Sequence, residues 1–80
     1  MTQYLLAFKA DTDGDQKSLV AMTIMADGDA SANRMSEQIQ QNLKENYPLL
    51  WVYHQTTTLI NLNTNKQVEI KWVLTQASPY

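Results

Sequence analysis

DASANRMSEQIQQNLKENY, residues 29–47, is the stretch whose reading decides the fold: its periodicity is helical, and it divides two strand-rich halves. Ala32, Met35, Ile39 and Leu43 recur at three- and four-residue intervals, which gathers them into one narrow apolar stripe. Such a stripe must be covered, and the flanking halves have to supply the cover. Asp27-Gly28-Asp29 breaks the preceding strand, and Asp29 or Ser31 is expected to accept the free amide protons of the first turn. Tyr47-Pro48 ends the helix, because proline disfavours helical geometry in the residue before it. The outward face, with Gln38, Gln40, Gln41 and Asn42, is neither basic enough to enter a DNA groove nor apolar enough to lie on a membrane.

Upstream of the helix, residues 3–9 and 18–26 both alternate with a period of two, the signature of half-buried strands. The Asp13-Gly14 pair between them favours a two-residue hairpin turn that matches Thr12 with Asp15. That register divides the large apolar side chains between both faces. An odd loop, Asp13-Gly14-Asp15, instead pairs Phe8 with Val20, Leu6 with Met22 and Tyr4 with Ile24, so that one face collects them all. A slip of one residue inverts every side chain, so burial is expected to override the turn preference.

Downstream, residues 49–62, LLWVYHQTTTLINL, are aromatic, β-branched and threonine-rich, and read as strand, though long for one uninterrupted strand. Trp51 and Tyr53 stand at odd positions whereas Ile60 and Leu62 stand at even ones, so a bulge or break between His54 and Thr58 is expected to bring all four to one side. A last strand, Gln67–Thr75, alternates Val68, Ile70, Trp72 and Leu74 with polar neighbours. The turn Asn63-Thr64-Asn65 places Asn65 in a left-handed conformation and sets Ile60 opposite Val68. Residues 77–80 read as a frayed tail.

The expected architecture is therefore α+β: a ββαββ chain, residues 1–80 forming a single domain, with a four-stranded, mainly antiparallel sheet and one helix packed on one face. The helical stripe should meet Tyr4, Leu6, Phe8, Val20, Met22, Ile24, Val68, Ile70 and Trp72. The core is small, since a chain of this length buries only about 60–65% of the surface its unfolded form exposes.

Composition narrows the chemistry. Without cysteine there is neither a disulfide framework nor a thiolate metal site, which suits a reducing, cytoplasmic setting. Residues 1–10 lack the basic and long apolar regions of a secretory leader, and nothing reaches transmembrane length. The formal net charge is −2 with a pI near 5.0, and Lys9, Lys17, Arg34, Lys44, Lys66 and Lys71 are scattered, which disfavours a phosphate-binding surface. Asp11, Asp13 and Asp15 imitate the opening of a calcium loop. However, glycine falls two residues too early and Met22 stands where the bidentate carboxylate belongs, so the cluster reads as a solvated turn. His54 is the one histidine and sits on the expected bulge; Ser18, Ser31, Ser36 and Ser78 lack a nucleophile signature. No catalytic, cofactor or metal-ligating set emerges.

The sheet face away from the helix is the remaining candidate surface: Leu5, Ala7, Lys9, Leu19, Ala21, Thr23, Glu69, Lys71 and Val73 make it moderately apolar with charged accents. The expected function is a small non-enzymatic protein-interaction module, an accessory or inhibitory factor of phage or mobile-element type, binding another protein or a second copy of itself. A nucleic-acid-binding module that stacks bases on sheet aromatics is the alternative, and a small enzyme using His54 or carboxylates the third reading.

Overall fold

The alternation upstream of the helix produces two long strands, β1 (Thr2–Thr12) and β2 (Asp15–Ala26). The computed structural model describes residues 1–12 and 14–72; Asp13, Val73, Leu74 and the tail at 77–80 lie outside the described residues. Tyr4 pairs with Ile24, Leu6 with Met22 and Phe8 with Val20, the register that burial demands. Beyond Phe8 the ladder shifts by one, so that Lys9 meets Ser18 and Thr12 meets Asp15. Both registers therefore exist, one in each part of the hairpin. Leu19 has no residue opposite it and absorbs the difference as a β-bulge. Burial sets the ladder near the core and turn chemistry sets it near the tip, where Gly14 adopts the left-handed φ of 82° that the tight turn requires.

Helix α1 (Asp29–Asn46) follows, and it ends before Pro48 as the sequence predicts. Its start differs from expectation. Gly28 occupies the cap position in an extended conformation and its carbonyl accepts from the Ala32 amide at 2.9 Å, with no side-chain cap from Asp29 or Ser31. The Asp29 carboxylate is engaged elsewhere, accepting from the Tyr4 hydroxyl at 2.8 Å. Burial, reinforced by this carboxylate, raises the Tyr4 pKa. The most buried line on the helix is Ala32, Asn33, Ser36 and Gln40, while Met35, Ile39 and Leu43 are half-buried beside it. Gln40, expected on the outward face, is 2% exposed, so the most buried line is largely polar and lies to one side of the apolar stripe.

The largest departure comes next. Residues 49–55 are not strand: Pro48–Trp51 forms a helical turn, α2, with Pro48 in the first position, where its missing N–H costs nothing. The chain then reverses through Val52 and Tyr53, with the His54 amide donating to the Trp51 carbonyl at 2.9 Å. Strand β3 (Thr56–Asn61) starts only there, antiparallel to β1, so the interruption expected between His54 and Thr58 is a break, not a bulge, and it does not gather Trp51, Tyr53, Ile60 and Leu62 on one side. The phase is also opposite to that expected. Thr57 and Leu59 face the core opposite Phe8 and Leu6, whereas Ile60 faces away opposite Leu5 and Leu62 is exposed.

Strand β4 is Lys66–Gln67; residues 68–72 of the expected Gln67–Thr75 strand do not belong to it, and 73–75 lie outside the described residues. The connecting loop holds four residues, not three, because Asn61 pairs with Lys66 and Ile60 with Gln67; Leu59, rather than Ile60, thus lies level with Val68. Asn65 does take the left-handed conformation, at φ 59°. The Asn61 side chain accepts from the amides of Asn63 and Thr64 and closes the loop. Past Val68, whose amide still donates to the Leu59 carbonyl at 2.7 Å, the chain leaves the sheet and runs beside α1. Asn33 holds it there as an amide clamp, donating to the Glu69 carbonyl at 3.1 Å and accepting from the Lys71 amide at 2.8 Å. Trp72 adds an indole N–H bond to Ser36 Oγ at 2.8 Å.

The product is a four-stranded antiparallel sheet, order β2-β1-β3-β4, with one main helix over one face. Tyr4, Leu6, Phe8, Ile24, Ala26, Ala32, Trp51, Leu59 and Val68 make the buried core, flanked by Val20, Met22, Met35, Ile39, Leu43, Ile70 and Trp72. Every residue the helical stripe was expected to meet takes part. Ala26, Trp51 and Leu59 are the additions.

Candidate functional site

Two surfaces compete for a functional role. The sheet face away from α1 brings together most of the residues singled out in the sequence. Leu5 lies opposite Thr23 and Ala7 opposite Ala21, with Lys9 beside Ser18 and the Leu19 bulge. Ala21 and Thr23 are exposed, but Leu5, Lys9 and Leu19 are half-buried and Ala7 is buried between its neighbours. Ile60 joins them from β3. Glu69 and Lys71 do not belong to this face. They stand beyond the end of β4, exposed along α1, where they border a cleft of about 280 Å³ with Asp29, Ala30 and Asn33.

The second surface is residues 47–53, which the strand reading concealed. Tyr47, Leu49, Leu50, Val52 and Tyr53 are all exposed, Leu49 to 84%. Five large apolar side chains thus face solvent within one helical turn and its flanks. They stand on a rigid base. Trp51 points the other way and is 1% exposed, stacked on His54 with centroids 4.2 Å apart and planes 22° apart. Phe8 closes the group edge-on, 5.2 Å from Trp51 and 5.7 Å from His54. Stacked and edge-to-face rings at such separations add about 0.5–1.5 kcal/mol per pair beyond their buried area. A sequence signal existed: YPLLWVY has no polar alternation, and where one helix covers one side of a sheet, an unalternating apolar run of seven must leave some residues bare.

His54 is fully enclosed. Its Nε2 shares a 2.9 Å hydrogen bond with Thr57 Oγ1, while Nδ1 is buried without a partner. Burial lowers its pKa below the usual histidine value, outweighing an opposing pull from the Thr56 backbone. The ring packs the base of α2 and presents no open face to a substrate.

Stacking of bases would need exposed sheet aromatics. Tyr4 and Phe8 are buried, and the half-buried Trp72 has its indole N–H committed to Ser36, so these three rings belong to the core. Another cleft of about 280 Å³, bordered by Met1, Met25, Asp27, Arg34 and Met35, mixes charges of both signs. Among the described residues, no group of three or more histidines, aspartates or glutamates is placed to hold a metal ion. No helix among them is long and apolar enough to cross a membrane. No protein-family model, no curated protein and no solved structure matches this chain.

Proposed function

We propose that the protein is a non-enzymatic interaction module of the cytoplasm, an accessory or inhibitory factor that docks on another protein through residues 47–53. The observation that carries this reading is the inversion at α2: Trp51 is withdrawn into the core while Tyr47, Leu49, Leu50, Val52 and Tyr53 are held outward. A contiguous exposed apolar group is costly to keep in water, and on small proteins such patches mark contact sites. Two tyrosines at its ends suit an interface, since each joins apolar area to a hydroxyl at little entropic cost. The rigid base favours affinity as well, because little ordering remains to be done on binding.

The test is site-specific photo-crosslinking in cells that naturally make the protein. A photoreactive residue at Leu49 should capture one discrete partner, identified by mass spectrometry and reconstituted with purified components. Leu49→Asp should weaken that purified complex by at least about tenfold, or 1.4 kcal/mol. The same probe at Ala21 should capture nothing discrete. Capture at Ala21 alone would return the contact to the far face of the sheet, and silence at both positions would end the proposal.

A further inference from the structure

The open edge of β2 carries a second message, independent of residues 47–53. The carbonyls of Gln3 and Lys9 accept from Leu62 and Gln55 on the β3 side. Alternation along β1 therefore turns the backbones of Tyr4, Leu6 and Phe8 towards β2, onto Ile24, Met22 and Val20. The intervening residues Ala21, Thr23 and Met25 direct their N–H and C=O groups outward, where the described sheet ends.

Edge strands are ordinarily shielded by charge, proline or a bulge. Between Ser18 and Ala26 there is no charge and no proline, and the Leu19 bulge stands at one end of the run. The core is also unfinished here. On β1, Leu6 and Phe8 are completely buried, but their partners Met22 and Val20 on β2 are only half-buried, beside the half-buried Met35 and Ile39 of α1.

The sequence of this edge is nearly its own mirror image about Met22: Ser18 matches Ala26, Leu19 matches Met25, Val20 matches Ile24 and Ala21 matches Thr23. We propose that β2 pairs antiparallel with β2 of a second copy about a two-fold axis at Met22, joining the two four-stranded sheets into one with both helices on the same face.

Two features select this register. Antiparallel pairing about Met22 sets Ala21 opposite Thr23 of the other copy, so outward-facing groups meet outward-facing groups. Val20 then covers Ile24 and Met22 meets Met22 on the helix side, which completes the open flank of the core. Sliding by two residues, the smallest shift that keeps the outward groups opposed, would set the Leu19 bulge against Thr23 or leave Val20 against Ala26 at the end of the strand.

The chain has no native cysteine, so introduced thiols report the geometry directly. At the axis, Cα atoms of a directly opposed non-hydrogen-bonded pair stand about 4.5 Å apart, within disulfide range. Met22→Cys should therefore form a covalent dimer under mild oxidation. Met25→Cys, more exposed but about 20 Å from its own copy in this register, should not. Sedimentation of the unmodified protein at about 100 µM should show a dimer, and Thr23→Pro should yield a folded monomer, since that N–H faces outward and proline is tolerated at an open edge. A monomer at that concentration, or faster linkage through Met25→Cys than through Met22→Cys, would overturn the proposal. So would a folded Thr23→Pro protein that remains dimeric.

Discussion

The two halves of the chain reach the same sheet by different physics. In the first half, β1 and β2 pair over almost their whole length, and one residue, Leu19, reconciles a turn preference with a burial preference. In the second, β3 pairs with β1 at six positions but with β4 at only two, and the segments on either side are held by individual side chains, Trp51 and His54 at α2 and Asn33 and Ser36 along residues 69–72. A ladder distributes stability over many similar bonds. A set of clamps concentrates it, so single substitutions should divide the halves sharply.

The greatest effect is expected at Trp51. It is buried against Phe8 and His54, and truncation to alanine removes a full aromatic side chain from a small core, a loss of about 3–5 kcal/mol. Because a small domain has only about 5–10 kcal/mol in total, urea titration of Trp51→Ala should show a protein close to unfolded in water. Leu49, two residues earlier and bare, should tolerate alanine within about 0.5 kcal/mol. Equal losses at the two positions would mean that α2 is not the anchored turn described above.

Asn33→Ala comes second. It removes the donor to Glu69 and the acceptor for Lys71 together, two part-buried hydrogen bonds at about 0.5–1.5 kcal/mol each. The loss should be local. Amide exchange at Lys71 should accelerate while that of Leu6 and Met22 stays slow; uniform acceleration would show that the clamp and the ladder unfold as one unit.

This division also explains what could be read in the sequence. The core residues of β1 and β2 were legible because each is a periodicity, and a period survives without knowledge of its surroundings. The stripe of α1 was legible only in part, since beside Ala32 the buried residues are Asn33, Ser36 and Gln40 while Met35, Ile39 and Leu43 are half-buried. The left-handed Asn65 was legible for a similarly local reason. Trp51 was not, since whether an apolar run after Pro48 forms a strand or a turn depends on a cavity between Phe8 and His54 that exists only in the folded chain. The phase of β3 followed from that error: with the strand starting at Thr56, Leu59 and not Ile60 turns inward. The early end of β4 was hidden too. Nothing in the alternation of Val68, Ile70 and Trp72 shows that Asn33 will take the place of a neighbouring strand. The apolar surface at 47–53 was therefore missed, whereas the far face of the sheet was found residue by residue through β1 and β2.

His54 offers a way to weaken the clamped half by pH alone. Its pKa is lowered in the folded state, so below the unfolded value of 6.5 the unfolded chain binds the additional proton. The contribution of the neutral ring is thus fully present above about pH 6.5 and is lost as pH falls from there towards the folded pKa. One proton limits this slope to about 1.4 kcal/mol per pH unit. His54→Gln should remove this component of the slope from denaturation curves measured across that window. An unchanged slope would assign the acid sensitivity to carboxylates.

The smallest effects are expected at the two turns, where the comparison reduces to one left-handed residue on each side. Gly14 has φ 82° and open space where a Cβ would stand, so Gly14→Ala costs only the left-handed conformation, about 1 kcal/mol. Asn65 already bears a side chain at φ 59°. Replacing it with glycine relieves that conformation but gives the unfolded chain more freedom, and the two terms nearly cancel, leaving a change within about 0.5 kcal/mol. Thermal melts of the two variants should therefore differ in size, with Gly14→Ala clearly lower than the parent and Asn65→Gly near it. If Asn65→Gly fell as far, the Asn65 side chain would be holding the β3–β4 loop by more than its backbone conformation, and the turn would have to be counted among the clamps.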